Sequence, residues 1–161
     1  MSWMNAVRGA PINSTTGRAD GEEWVTFDST TGLPSLHKRL RTHGAITVGI
    51  PYMYQSTAAY PGGLTAACAT NPRAYLGVAA ETQTAAGYFD LIIAGYISDA
   101  VTSGTLAADA NAQVINAGVA FIDDGTTTVQ TAGTAGKALE AASGNVADIW
   151  LYESPVDIAS S

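Results

Sequence analysis

Ten residues, Tyr88–Ile97, constrain the fold more than any other part of this sequence. Apolar side chains alternate along them, and one face carries Phe89, Leu91, Ile93 and Ile97. This period of two residues is typical of a β-strand that buries one face. Turn glycines then recur about every 11 to 17 residues between Gly87 and Gly144. Short strands separated by such turns predict an all-β body, either a small sandwich or a small barrel.

Other stretches support the same fold class. Val119–Asp123 and Thr126–Gln130 flank Asp124-Gly125, a dipeptide that favours a tight hairpin turn. The remaining predicted strands are Ala45–Ile50, Ala74–Ala79, Gln113–Asn116 and Ala147–Glu153. Gly136–Ser143 is the exception, because its Ala, Leu and Glu residues favour a helix of two turns. So short a helix needs packing to persist, and tertiary contacts could therefore override this preference.

Small side chains dominate the composition. Gly, Ala, Ser and Thr account for 76 of the 161 residues, whereas only 13% of the residues are charged. Disordered chains and helical bundles both carry more charge, so this composition favours a β-rich protein with close backbone contacts. No apolar run approaches the length of about 18 residues that a membrane-spanning helix needs. The formal net charge of −7 argues against a nucleic-acid partner.

Charge is divided unevenly along the chain. Residues 1–43 carry five basic and four acidic side chains, a net charge of +1. Residues 44–161 carry two basic and ten acidic side chains, a net charge of −8. The first segment also lacks sustained periodicity. The sequence therefore predicts an N-terminal extension, residues 1–43, followed by a β-rich body, residues 44–161.

No sequence motif points to catalysis or to a cofactor. The chain lacks a glycine-rich phosphate loop, a nucleophile elbow and a paired-histidine zinc motif. His37 and His43 flank a basic stretch, where the nearby cations would oppose metal binding. We therefore expect no enzyme activity, no cofactor and no metal site. Three aromatic residues lie close together in the sequence: Tyr52, Tyr54 and Tyr60. Three interpretations of them stay open, namely a sugar-binding platform, a protein interface and ordinary strand packing.

The C-terminal half carries an ordered set of motifs. Gly87–Ile97 supplies a strand with an internal glycine, and Gly104–Asp109 supplies the run Gly-Thr-Leu-Ala-Ala-Asp. The most specific motif is Gly136–Ser143, Gly-Lys-Ala-Leu-Glu-Ala-Ala-Ser, which precedes a final strand, Ile149–Tyr152. Over about residues 75–153 this order resembles the head decoration, or capsid cement, proteins of tailed bacteriophages. Ala108 departs from the pattern, because those proteins usually carry glycine before the aspartate.

The resemblance implies a β-barrel or β-tulip body that forms a homotrimer and binds the major capsid protein on the outer surface of the virion. It also implies that Gly136–Ser143 is extended, contrary to its local helical preference. The expected role is structural stabilisation of the head, with no nucleic-acid or membrane partner. Two alternatives stay open: another virion component, such as a tail, head-fibre or adsorption protein, and a carbohydrate-binding module.

The N-terminal extension supplies the candidate contact residues. Large apolar anchors, which a purely solvated tail would not need, are Trp3, Trp24 and Phe27. Cations suited to an acidic surface are Lys38, Arg39 and Arg41. We therefore expect the extension to contact the capsid or a neighbouring subunit while the acidic body faces solvent. The alternative is a disordered tail, or an extra strand packed on the protein's own body.

Overall fold

The computed structural model has an all-β fold, which confirms the predicted class. It describes residues 18, 21–42, 44–54, 64–67, 75–114, 120–123, 125 and 133–153, and this part of the chain contains no helix, hence none that could cross a membrane. Ten strands form one sheet: β1 (Glu23–Phe27), β2 (Pro34–Thr42), β3 (Pro51–Tyr54), β4 (Leu64–Ala67), β5 (Tyr75–Ala79), β6 (Gly87–Val101), β7 (Asn111–Gln113), β8 (Ile122–Asp123), β9 (Thr134–Ala138) and β10 (Val146–Leu151).

The strands follow the order β1-β2-β4-β3-β5-β6-β10-β9-β7-β8, with an additional pairing between β2 and β6. Pairing is antiparallel throughout the named strands except between β2 and β4. That parallel contact consists of one residue pair, Thr42 with Leu64. The sheet is not closed into a barrel, which corrects the barrel expected from the sequence and from the resemblance.

The longest strand, β6, organises the sheet. It pairs first with β2 and then with β10, and the change of partner falls at Gly95. Gly95 lies opposite both Ser35 and Leu151 and has a φ of +87°. A Cβ atom at this position would overlap the carbonyl oxygen of Pro34. Glycine is therefore required here, because it accepts the positive φ and leaves room for the neighbouring backbone.

Alternating burial along the strands produces two apolar clusters. The smaller cluster lies around β2 and β6 and consists of Leu40, Ile46, Tyr52, Ala79, Phe89 and Leu91. The larger cluster contains the inward residues of β10, namely Ala147, Ile149 and Leu151, together with fully buried Phe121. Many of its other members are alanines, and small side chains of this kind let the strands pack closely.

The Gly136–Ser143 motif is not helical, so the prediction from local propensity is wrong. Its first three residues belong to β9 and pair with β10. A Cβ atom at Gly136 would lie 2.5 Å from the carbonyl oxygen of Trp150, which shows how closely the two backbones approach. Pairing with β10 stabilises the extended form, whereas an isolated helix of this length has too few hydrogen bonds. The extended conformation implied by the resemblance is thus confirmed for residues 136–138.

Several other predicted strands need correction. Ala45–Ile50 is not a strand, because only Ile46 forms an isolated bridge, with Gln83. Gln113–Asn116 is displaced, since β7 ends at Gln113. In contrast, Ala74–Ala79 and Ala147–Glu153 correspond to β5 and β10.

Only part of the predicted hairpin around Asp124-Gly125 lies within the described residues. Its first strand is represented by β8, which pairs with β7. The amide of Gly125 donates to Asp123 Oδ1 at 2.7 Å, the local bond expected of an aspartate in a turn. The second predicted strand, Thr126–Gln130, lies outside the described residues.

The segment predicted as an N-terminal extension contributes two strands to the sheet. Both β1 and β2 precede residue 43, and β2 pairs with β6 at eight positions. The sheet therefore has no boundary at residue 43, and Glu23–Thr42 is integrated with the rest of the fold. Charged side chains interrupt the apolar alternation of β2, so its sequence did not predict a strand. In the structure, Lys38 and Arg39 form ion pairs with residues on neighbouring strands.

Candidate functional site

The β1–β2 hairpin holds five of the six predicted contact residues, and Trp3 lies outside the described residues. Asp28 organises its turn by accepting bonds from the amides of Thr30 at 3.0 Å and Thr31 at 2.6 Å. The Thr31 hydroxyl donates to the same oxygen at 2.8 Å. The Thr31 amide and hydroxyl hold the pKa of Asp28 below its usual value. The hairpin thus presents its side chains from a defined turn.

The cations of β2 point to opposite faces of the strand. Successive residues of a strand alternate between faces, so Lys38 lies on one face while Arg39 and Arg41 share the other. Lys38 donates to Glu23 Oε1 at 2.9 Å across the β1–β2 pairing. The three cations therefore do not form the single basic cluster that their sequence spacing indicated.

Arg39 is engaged in a buried ion pair. Its side chain reaches Asp90 Oδ1 at 2.6 Å, and Asp90 is its directly opposed residue on β6. Glu81 Oε1 lies 4.0 Å from the same guanidinium nitrogen and accepts a bond from the Asp90 amide at 3.0 Å. Because Arg39 is only 9% exposed, it stabilises the sheet from within and offers little charge to an external partner.

Arg41 and Phe27 are the candidate contact residues that reach the surface. Arg41 is exposed, and its guanidinium lies 5.9 Å from the ring centroid of Tyr88, its partner across β2 and β6. Phe27 is 67% exposed and lies opposite Pro34 at the other end of the hairpin. Seven residues of strand separate Pro34 from Arg41, a distance of about 23 Å. The two exposed side chains therefore lie near opposite ends of the hairpin and on opposite faces of its strands.

Trp24 belongs to the interior of the hairpin. It is 6% exposed, and its indole stacks on His37 with ring centroids 5.3 Å apart and an interplanar angle of 18°. The guanidinium of Arg18 lies over the same indole, 3.6 Å from the ring centroid. We call these three residues the Trp24 stack. Neither Arg18 nor a half-buried His37 was identified from the sequence, because alternation predicts a face but does not identify cross-strand partners.

Tyr52 does not offer a surface for stacking sugars. It is 6% exposed, its ring meets Phe89 edge to face at a centroid distance of 6.5 Å, and its hydroxyl accepts a bond from the Thr47 amide at 3.0 Å. Tyr52 therefore packs in the core, which is one of the interpretations that the sequence allowed. The side chains of Tyr54 and Tyr60 lie outside the described part of the structure.

A second polar contact joins the central strands on the side of β10. The Tyr96 hydroxyl donates to Asp148 Oδ2 at 2.6 Å, and the Asp99 amide donates to Asp148 Oδ1 at 3.2 Å. Burial and the neighbouring Asp148 carboxylate raise the pKa of Tyr96 above its ordinary value. Asp99 has a φ of +54° at this point, so Asp148 holds an irregular stretch of β6 in place.

A groove of about 250 Å³ opens where β2 begins and β10 ends. Apolar side chains form most of its wall, and the residues that define it are Pro34, Leu36, Trp150, Leu151, Tyr152 and Glu153. Within the described residues, no group of three or more histidine, cysteine or carboxylate side chains is arranged to hold a metal ion. The groove is thus an apolar surface with one carboxylate-bearing residue at its rim.

Comparison with protein families and with curated proteins gives no match for this sequence.

Proposed function

We propose that this protein is a structural virion component that binds the outer capsid surface of a tailed bacteriophage as a decoration, or cement, protein. The observation that supports this proposal most strongly is the conformation of Gly136–Ala138. Local propensity favours a helix there, whereas the resemblance to decoration proteins implies an extended segment before a final strand. The segment is extended in β9 and pairs directly with β10.

The arrangement of the motifs gives further support. The three strands that carry the strand motifs of the resemblance are β6, β9 and β10, and they lie side by side in the order β6-β10-β9. The strand motifs that carry the resemblance therefore lie in one continuous part of the sheet. Close backbone packing at Gly136 favours a rigid body, which suits a protein that must hold a fixed position on a lattice.

The proposal includes a homotrimer that binds the major capsid protein. Weak contacts from each subunit would then act at high effective concentration, so a trimer would remain bound where a single subunit would dissociate. Phe27 and Arg41 are the contact candidates whose side chains are exposed at the surface. Trp24 and Arg39 would support the hairpin that presents them, because both are buried.

Binding to heads that lack the protein tests this proposal. Heads are purified from a tailed phage in which the gene for this chain has been deleted, mixed with the full-length chain and sedimented. We expect saturable co-sedimentation with heads, and sedimentation equilibrium of the free protein should give a trimer at micromolar concentration. Binding restricted to tails would favour the alternative virion role, and failure to bind any particle would contradict the proposal. A monomer both free and on heads would contradict the trimer.

A further inference from the structure

The Trp24 stack joins three segments that adjoin in the hairpin region. Trp24 and His37 are directly opposed residues of β1 and β2, and their rings lie nearly parallel. Arg18 precedes β1 and adds its guanidinium over the indole at 3.6 Å. Gly21 is tied to β2 as well, since its amide donates to the Arg39 carbonyl at 2.7 Å.

The imidazole of His37 has one hydrogen-bond partner and one buried nitrogen without any. Its Nε2 lies 2.8 Å from the hydroxyl oxygen of Thr26 on β1. Its Nδ1 is buried and, among the described residues, has no partner. In the tautomer that donates from Nε2 to Thr26, a neutral imidazole leaves only a lone pair unpaired at Nδ1. A protonated imidazole carries an N–H donor on both nitrogens, so one charged donor would be buried without an acceptor.

The charged groups around His37 do not compensate for a proton. Burial, the largest effect, and the Arg18 cation together lower the pKa of His37 to about 4. Asp90 on β6 acts in the opposite direction but is already bound to Arg39.

The remaining elements around His37 supply little further charge. Glu22, beside Arg18, lies 4.0 Å from its guanidinium. A cavity of about 180 Å³ borders His37 and also contacts Asp28, Tyr96, Ala79 and Ala80, the last two from β5 and its end. Asp28 is committed to the hairpin turn, and Tyr96 bonds to Asp148. The cavity therefore borders the ring without providing a free carboxylate for it.

We propose that the Trp24 stack is an acid-sensitive clasp: protonation of His37 separates β1, Arg18 and Gly21 from β2 while β2 stays paired with β6. The asymmetry comes from the topology. Among the described strands, β1 pairs only with β2, whereas β2 keeps eight paired positions with β6. Local opening needs only the weaker attachment to fail. This inference does not depend on the proposed capsid role.

The direction of the pH effect follows from the lowered pKa. His37 binds its proton near pH 6.5 when the clasp is open, but only near pH 4 when it is closed. The clasp is therefore fully closed above pH 6.5. As the pH falls from 6.5 toward 4, the opening equilibrium should rise by up to about tenfold per pH unit.

Hydrogen exchange of the full-length chain between pH 7 and pH 4.5 tests the clasp. Rates are corrected with an unstructured reference peptide, and the peptides compared cover β1 and β6. We expect the protection of β1 to fall by up to about tenfold per pH unit below 6.5, with a much smaller change in β6. His37→Gln should abolish most of this response, and His43→Gln, the matched control, should keep it. An equal response in His37→Gln and the unchanged protein would overturn the proposal.

A second measurement needs no variant at His37. The Cε1 proton of His37 is followed by NMR through the same pH range, with His43→Gln used to assign the signal. A midpoint well below 6.5 supports the clasp. A midpoint near 6.5 would overturn it, because His37 would then be protonated without a conformational cost.

Discussion

Arg39 and Asp90 face each other across β2 and β6 and form an ion pair of 2.6 Å. Their side chains are 10% and 16% exposed, so the pair is largely removed from water. A cation in the middle of a strand looks like a surface residue in the sequence. Here its opposed carboxylate lets it lie within the sheet, and the two charges depend on each other for their burial.

Removing one charge of this pair should therefore be costly. We expect Asp90→Asn to lower the free energy of unfolding by about 3 kcal/mol, because Arg39 would keep a buried charge with only the more distant Glu81, at 4.0 Å, as a counter-ion. Glu23→Gln is the matched control, since the Lys38–Glu23 pair is more exposed and should contribute at most about 1 kcal/mol. Urea unfolding at pH 7 measures both values. Equal losses for the two variants would contradict the structural role given to Arg39.

Gly95 offers a test of the partner change along β6. Gly95→Ala should destabilise the fold by more than about 2 kcal/mol, because it combines an unfavourable positive φ with an overlap with the backbone of Pro34. Gly104→Ala separates the two effects, since Gly104 has a φ of +86° and no atom within 4 Å of a built Cβ. Thermal and urea unfolding should show a clearly smaller loss for Gly104→Ala. Similar losses would leave no role for the close approach at Gly95.

Tyr96→Phe tests the bond to Asp148. We expect a loss of about 1.5 kcal/mol at pH 8, the usual contribution of a hydrogen bond to a charged group. In the folded protein the pKa of Tyr96 is raised, so its share of stability is complete below about pH 10 and declines as the pH rises further. The unchanged protein should therefore lose more stability than Tyr96→Phe between pH 8 and pH 11. Parallel losses in urea unfolding would argue against a buried, protonated Tyr96.

The surface positions should affect binding without affecting folding. Phe27→Ser is expected to change the free energy of unfolding by less than about 0.5 kcal/mol, because the ring is 67% exposed. If Phe27 contacts the capsid, the same change should weaken co-sedimentation with heads by about tenfold, as loss of a buried aromatic contact would. Trp24→Ser, in contrast, should primarily destabilise the hairpin. Unchanged head binding by Phe27→Ser would remove Phe27 from the contact surface.

The sequence predicted those features that depend on local pattern. Alternation in Tyr88–Ile97 identified the central strand, and Asp123 accepts a local bond from Gly125 where a tight turn was predicted. Gly136–Ser143 was mistaken for a helix because propensity takes no account of the close pairing that β10 provides. β2 was missed because His37 and Arg39 were interpreted as solvated residues, whereas stacking leaves His37 half-buried and ion pairing accompanies the burial of Arg39. Such partners are distant in the chain, so their effect becomes visible only when the strands are aligned.

Electron microscopy of phage particles with gold-labelled antibody against this chain tests the capsid role most directly. The account predicts label distributed over the outer surface of the heads, with copy numbers in multiples of three, and no label on heads from the gene deletion. Label confined to tails or fibres, or its absence from intact particles that carry the gene, would contradict it.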